Sequence, residues 1–165
     1  MNLKEKLFKQ CELFVNNRMD TVEQIISSNQ KALQSETKSS AGDKHETGRA
    51  MLQLEIEKAS QQFKAVRDMR MVLSKIDLAK ESKTAHLGSV IETSSVCFFL
   101  AISVGKITAH GKDYFAVSVF SPIGKLLLGK QKGVEKTLVA FYTSQNCGQR
   151  IAYSTDGGTK WEKLE

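Results

Sequence analysis

The sequence predicts an α+β protein in which an antiparallel helical hairpin precedes a small β-rich domain. Residues 1–80 contain no proline and only two glycines, Gly42 and Gly48. After residue 86, β-branched and aromatic residues dominate and glycines recur, as is typical of short strands joined by turns. We therefore assign the hairpin to residues 1–80 and the β-rich domain to residues 86–165, with a short polar linker between them.

The hairpin is predicted from two apolar stripes, whose residues mostly return every three or four positions. The first stripe consists of Leu3, Leu7, Cys11, Phe14, Val22, Ile25, Ile26 and Leu33. The second stripe is a coiled-coil pattern that Arg70 interrupts once, and it consists of Leu52, Ile56, Ala59, Phe63, Val66 and Leu73. A polar segment separates the stripes, so the two helices should fold back on each other with residues 35–48 at the tip.

The second half is predicted to contain three strands and one short helix. The strand candidates are 89–93, 96–104 and 114–120, with a turn over 110–113 between the last two. Ser121 followed by Pro122 is a helix-start signal, and Gly129 is suited to ending a helix of two turns.

Composition and charge restrict the class of protein only loosely. The net charge of +6 and the pI of about 9.2 favour acidic partners, such as nucleic acid or an acidic protein surface. The odd cysteine count and the lack of metal-ligand spacing favour free thiols in a reducing compartment. The polar N-terminus and the shortness of every apolar run predict a cytoplasmic protein, with no membrane partner. We expect a monomer.

An acidic pair stands where the second helix is expected to start. Asp43 and Glu46 are three residues apart, so their carboxylates should lie on one side of a helical turn and share a Mg²⁺ ion. Such a half-site would bind the ion well only when another molecule completes it. The same spacing also describes a capping box, in which Asp43 caps the helix and Glu46 reaches back to the cap. His45, between them, is more simply read as a solvated side chain.

Two motifs together resemble the Gre family of bacterial transcript-cleavage factors. The first is the tip sequence Gly42-Asp43-Lys44-His45-Glu46, which is similar to the family's G-D-x-x-E. The second is Ser121-Pro122-Ile123-Gly124-Lys125-Leu126-Leu127-Leu128-Gly129-Lys130, which is similar to the family's S-P-I-A-R-G-L-I-G-K. The order of hairpin, linker and β-rich domain also agrees, and the resemblance covers about residues 1–133.

The resemblance implies both a fold and a function. It implies a globular domain like that of the FK506-binding proteins, which docks at the rim of the RNA polymerase secondary channel while the coiled coil enters it. Asp43 and Glu46 would then help to hold a second Mg²⁺ in the polymerase active centre, where the 3′ part of a backtracked RNA is cut. The protein would be a cofactor of the polymerase and not itself an enzyme, and it would meet the nascent RNA only indirectly.

The tip departs from the family pattern directly after the acidic pair. Thr47, Arg49 and Ala50 replace the family's asparagine, acidic residue and aromatic residue, and Gly48 weakens the first turn by about 1 kcal/mol relative to alanine. These changes motivate an alternative function, a regulator that occupies the channel without supporting cleavage.

The C-terminus is a second departure. Residues 137–163 resemble a strand–turn–strand fragment of a fructan-type glycoside hydrolase, and residues 154–161 match the S-x-D-x-G-x-x-W Asp box. One such unit cannot build a propeller, and no pair of catalytic carboxylates accompanies it. We expect it to substitute for terminal strands of the globular domain or to reflect a recombined reading frame. It also motivates a third hypothesis, a carbohydrate-binding or structural module.

Overall fold

The computed structural model confirms the α+β class, with two long helices followed by β-strands. It describes residues 2–36, 43–93, 96–131, 138–144, 148–154 and 162–163, and it describes side-chain placement for 2–35, 47–93 and 96–131. The chain divides into two compact units, one of Phe8–Lys75 and one of Met1–Leu7 with Ile76–Glu165.

The helical unit contains α2, Asp43–Leu73, and the part of α1, Leu3–Glu36, that begins at Phe8, and the two helices pack together. The side chains buried along the two stripes are Cys11, Val15 and Val22 from α1 and Ala59, Val66 and Leu73 from α2. Their spacing of four or seven residues on α1 and seven on α2 keeps them on one face of each helix. Burial of these stripes is what holds two long helices together, since isolated helices gain little from backbone propensity alone.

The burial of α1 differs in detail from the predicted stripe. Val15 is fully buried, whereas Phe14 is only half-buried and carries the guanidinium of Arg18 5.9 Å from its ring centre. Ile25 is 39% exposed, so it lies at the margin of the stripe. Val15 lies four residues after Cys11 and therefore on the same face of α1, so the compact Val15 side chain occupies the contact between the helices. The larger ring of Phe14 lies beside it.

A polar contact interrupts the stripes in the distal half of α1. The side-chain amide of Asn29 donates to Glu55 Oε2 at 3.1 Å, which joins the two helices as an antiparallel arrangement requires. Glu55 is exposed and water can replace the contact, so this hydrogen bond adds little to stability, but it shows which parts of the two helices face each other. Beyond this contact the stripe residues Leu33 and Leu52 are only half-buried. The helices are therefore held most firmly in the part farther from the tip.

The globular unit contains a four-stranded sheet with the order β1-β2-β4-β3. The strands are β1, Val90–Glu92; β2, Cys97–Ala101; β3, Gly105–Ala109; and β4, Lys112–Ser118. The pair β2–β4 is parallel, whereas β1–β2 and β3–β4 are antiparallel. All five residues of β2 are buried, with Phe99, Leu100 and Ala101 fully inaccessible, so this strand forms the centre of the core.

Three strand predictions were right in place but inexact in extent, and one strand was missed. The predicted strand 96–104 ends at Ala101, and the predicted strand 114–120 is shifted to 112–118. The missed strand is β3, which pairs with β4 through a tight turn in which His110 and Gly111 both have positive φ. Two consecutive residues with positive φ are the requirement of a type I′ two-residue hairpin turn.

The short helix α3, Pro122–Leu127, confirms the predicted helix start. Ser121 is its N-cap, and its Oγ accepts a hydrogen bond from the backbone N–H of Gly124 at 3.1 Å. The same hydroxyl donates to the carbonyl of Ser118 at 2.6 Å, which ties the start of the helix to the end of β4. Gly129, with φ +77°, follows the C-cap as predicted.

The C-terminal part contains a separate three-stranded antiparallel sheet of β5, Leu138–Ser144; β6, Gly148–Ser154; and β7, Glu162–Lys163. Strands β5 and β6 pair along their whole length, from Leu138 opposite Ser154 to Ser144 opposite Gly148. The predicted strand–turn–strand character of 137–163 agrees with these strands. The predicted turn at 156–158 and the packing of Trp161 lie outside the described residues.

Candidate functional site

The candidate site is the first turn of α2, which begins at Asp43. The helical backbone over 43–46 puts Asp43 and Glu46 three positions apart, where Cβ atoms are about 5–6 Å from each other. The side chains of 43–46 lie outside the described placements. The choice between a capping box and a metal half-site therefore stays open, and so does the prediction about His45.

The donor atoms available at this turn suit Mg²⁺. Carboxylate oxygens are hard ligands, and Mg²⁺ is characteristically held by one or two carboxylates while its other positions go to water or to phosphate. The first turn of a helix also carries partial positive charge from its unpaired N–H groups, and two carboxylates offset that charge. Among the residues whose side chains are described, no group of three or more His, Cys, Asp and Glu is placed to hold a metal ion.

The residues that follow the acidic pair point outward. Thr47, Arg49 and Ala50 are exposed, and Arg49 lies one helical turn after Glu46. Two apolar side chains in the next turn are also open to solvent, since Met51 is 64% and Leu54 is 50% exposed. The end of the hairpin therefore presents one described cation and two apolar side chains beside the acidic pair.

A second exposed surface lies on the globular unit around α3, and we call it the α3 surface. Its residues are Phe120, Lys125, Leu128 and Lys130, of which Phe120 is 71% and Leu128 is 45% exposed. Residues 114–131 contain no aspartate or glutamate, and Lys125 and Lys130 form no ion pair with a described residue. The α3 surface is therefore both apolar and positively charged.

The charges at the other end of β4 differ, because there the lysines are paired. Lys106 Nζ lies 2.7 Å from Asp113 Oδ2, and Lys112 Nζ lies 2.9 Å from Glu92 Oε1. The contact with Lys106, with help from Thr108, lowers the pKa of the Asp113 carboxyl. The hydrogen bond to Glu92 raises the pKa of Lys112 to about 12. All of these groups are exposed, so the two ion pairs stabilise the sheet only weakly. Each pair also adds no net charge to the surface.

The α3 surface was not predicted from the sequence. The sequence predicts a strand over 114–120 with Phe120 at its end, where an aromatic residue is expected to be buried. In the structure β4 ends at Ser118, and the N–H of Phe120 donates to Ser118 Oγ at 3.2 Å, so the chain leaves the sheet before the ring. The helix-start signal at Ser121 was the one local sign that the strand had to end earlier.

The buried thiols agree with the expectation that the cysteines are free. Cys11 and Cys97 are both buried and form no disulfide, and burial raises the pKa of the Cys11 thiol to about 12. A thiol of this kind is protonated at neutral pH and is a poor nucleophile. Cys147 lies outside the described residues.

Comparison with known proteins leaves the family open. The chain matches no protein-family model, no curated protein and no solved structure. Within the described residues, no helix has the length and apolar character needed to cross a membrane.

Proposed function

We propose that this protein binds RNA polymerase through the secondary channel and stimulates cleavage of backtracked RNA. The observation that carries the proposal is the start of α2 at Asp43, which puts Asp43 and Glu46 in the first turn at the end of a 31-residue helix. A helix of that length measures about 46 Å at 1.5 Å per residue, enough to carry a pair of carboxylates deep into a channel. The resemblance of the tip and α3 motifs to the Gre family supplies the partner.

The roles of the residues follow from their chemistry. When bound, a second Mg²⁺ would act together with the polymerase's own ion, so that one ion activates the attacking water and the other stabilises the leaving oxygen of the RNA. Asp43 and Glu46 would supply two of its oxygen ligands, and the polymerase and water would supply the rest. The protein therefore acts as a cofactor of the polymerase, and it touches the RNA 3′ end only through this ion.

The FK506-binding-protein-like fold of the globular unit is part of the same proposal. A four-stranded sheet with a short helix following β4 supports it. In this proposal the globular unit docks at the channel rim and the protein works as a monomer in the cytoplasm.

The decisive experiment measures transcript shortening on stalled, backtracked polymerase complexes with Asp43→Asn and Glu46→Gln. Asparagine and glutamine keep the hydrogen bonds of a capping box but remove the charges that a metal ion needs. We expect each variant to lower the cleavage rate on the order of 100-fold while binding to the polymerase is retained.

Two controls separate the metal role from capping and from general damage. Glu57→Gln removes an exposed carboxylate from the same helix about 17 Å from Glu46, and it should leave cleavage unchanged. Asp43→Ala removes the cap as well, so hydrogen exchange of the first turn should rise in Asp43→Ala and not in Asp43→Asn. If Asp43→Asn and Glu46→Gln both supported full cleavage, the acidic pair would act as a capping box and not as a metal site.

A second candidate function is a regulator that occupies the same channel without supporting cleavage. The observation that favours it is the exposed Arg49, a positive charge one turn from Glu46 where the Gre family carries an acidic residue. This function predicts competition with other channel-binding factors and the same effect on transcription from wild type and from Asp43→Asn.

The α3 surface is the candidate docking surface of the globular unit. A polymerase surface that binds it would carry both apolar and acidic side chains, because Phe120 is exposed and the lysines that follow it in the sequence lack an ion-pair partner among the described residues. We expect Phe120→Ala to weaken binding to the polymerase about tenfold to 100-fold without loss of stability.

Phe115→Ala is a matched control, since Phe115 is also a partly exposed aromatic residue of the same unit. It lies on β4, 6.5 Å from Phe98 between ring centres, and not on the α3 surface. Competition binding with labelled wild-type protein measures both variants. Equal loss of affinity in both would argue against docking through the α3 surface.

A further inference from the structure

The position of Arg49 bears on how the proposed metal site would be regulated. The helical backbone is continuous from Asp43 through Arg49, so Arg49 follows Glu46 at a separation of three residues and on an adjoining part of the helix surface. Its side chain is exposed, and no ion pair with a described residue offsets its charge. A permanent positive charge therefore lies within one turn of a carboxylate that the proposed function assigns to a divalent cation.

We infer that Arg49 acts as an electrostatic brake on metal binding, so that the protein occupies the channel at low Mg²⁺ and supports cleavage only at higher Mg²⁺. This inference rests on the proposed function. In this inference the same protein performs both candidate functions, and the concentration of the divalent cation determines whether it supports cleavage. Arg49 is a modulating residue and not a ligand, because a guanidinium is always protonated and has no lone pair to offer to a metal ion.

The magnitude of the effect follows from Coulomb's law. A unit positive charge about 8 Å from a divalent cation in water-like surroundings lowers the affinity for that ion by about fivefold, and salt screening reduces the effect while the polymerase interior increases it. Reversing the charge to negative should act in the opposite sense by about the same factor. The expected change from arginine to glutamate is therefore about 25-fold in the concentration of metal needed.

The other cation of the first turn is less well placed. Lys44 follows Asp43 directly, which turns it about 100° around the helix from Asp43 and about 160° from Glu46 at 100° per residue. Residues at a separation of one or two do not face each other on a helix, whereas residues at a separation of three do. Arg49 is therefore the cation on which the electrostatic argument depends.

The experiment is a Mg²⁺ titration of transcript cleavage on backtracked polymerase complexes at saturating factor, with wild type, Arg49→Ala and Arg49→Glu. We expect the half-maximal Mg²⁺ concentration to fall about fivefold in Arg49→Ala and about 25-fold in Arg49→Glu. Arg67→Ala is the matched control, since Arg67 is an exposed arginine of the same helix about 27 Å farther along it. It should titrate like wild type.

A second readout reports metal occupancy without relying on the cleavage rate. With Fe²⁺ in place of Mg²⁺, added hydrogen peroxide oxidises the bound Fe²⁺ to Fe³⁺ and yields hydroxide and a hydroxyl radical, which cuts the nearby RNA. The extent of cutting should rise at lower Fe²⁺ in Arg49→Ala than in wild type. If all forms share one metal dependence in both assays, the brake is excluded while the cleavage function stands. If Asp43→Asn cuts RNA as well as wild type does, or no form stimulates cleavage at any Mg²⁺ concentration, the proposed function fails and the brake fails with it.

Discussion

Replacing Gly124 with alanine will destabilise the globular unit by about 3 kcal/mol or more. A Cβ atom on Gly124 would overlap the carbonyl oxygen of Ser118 and would lie 2.8 Å from the Cα atom of Val119. Both atoms belong to the backbone at the end of β4, so they cannot turn aside as the tip of a flexible side chain would. The Ser118 carbonyl also accepts hydrogen bonds from the N–H and the hydroxyl of Ser121, and a shift of the helix would break them.

Gly129→Ala is the control for this prediction. Gly129 has a φ of +77°, but nothing lies within 4 Å of its Cβ position, so alanine there meets strain and no steric overlap. Its expected cost is about 1 kcal/mol. Urea denaturation, with hydrogen exchange to locate the loss, measures both variants. A cost for Gly124→Ala no greater than for Gly129→Ala would show that α3 is not fixed against the end of β4.

Replacing Val66 with aspartate will unfold the helical unit or destabilise it by about 4 kcal/mol. Val66 is 1% exposed on the buried stripe of α2, where the described neighbours on that stripe are apolar. An ionised carboxylate at this position would lose its hydration and gain no partner. Burial would also raise the pKa of the new carboxyl, so the folded form would take up a proton more readily than the unfolded form.

The sign of that pKa shift makes the prediction specific. Because the folded state of the variant binds the proton more tightly, its stability rises as the pH falls towards the unfolded pKa of about 3.9. The gap between Val66→Asp and wild type should therefore be smaller at pH 4 than at pH 7, as measured by helical circular dichroism during thermal unfolding. Arg67→Asp, at the exposed neighbouring position, should cost less than about 0.5 kcal/mol at both pH values.

The hairpin could be predicted because its signals are local and repeated. Six or more apolar residues on each helix mark the buried face, and the polar segment between the stripes marks the place where the chain turns back. Periodicity was less reliable in the choice between neighbouring apolar residues, since it placed Phe14 in the first stripe whereas the structure buries Val15. That choice depends on how much room the facing helix leaves, which the sequence of one helix does not contain.

The strand β3 could not be predicted from its residues. Gly105, Lys106 and Thr108 are exposed, and the buried positions Ile107 and Ala109 include only one strong strand former. The strand exists because its backbone pairs with β4 beyond the tight turn at His110 and Gly111. The turn was predicted, but its length of two residues was not. A two-residue turn joins two directly paired strands, so that length would have indicated a strand on each side.

One part of the candidate site could be predicted from sequence patterns and another part could not. The sequence predicts the acidic pair where the second helix starts, and α2 begins at Asp43, so the placement of the pair could be predicted. The α3 surface was not, because exposure of an apolar residue such as Phe120 contradicts the preference from which burial is predicted. Exposed apolar residues are therefore found from the structure, and they are the ones most useful for locating partners.

The parallel pair β2–β4 at the centre of the sheet has a consequence for the order of folding. Paired residues of β1 and β2 are separated by 5–9 positions in the sequence, and those of β3 and β4 by 3–11 positions. Paired residues of β2 and β4 are separated by 17 positions. Closing the shorter loops costs less chain entropy, so the two hairpins should form first and then dock along Phe99 and Ala116. Refolding rates of Phe99→Leu would report that docking step, and an unchanged rate despite lower stability would place it after the transition state. If Phe99→Leu instead slows refolding, the centre of the sheet is the last contact made, and its formation sets the rate of reaching the native state.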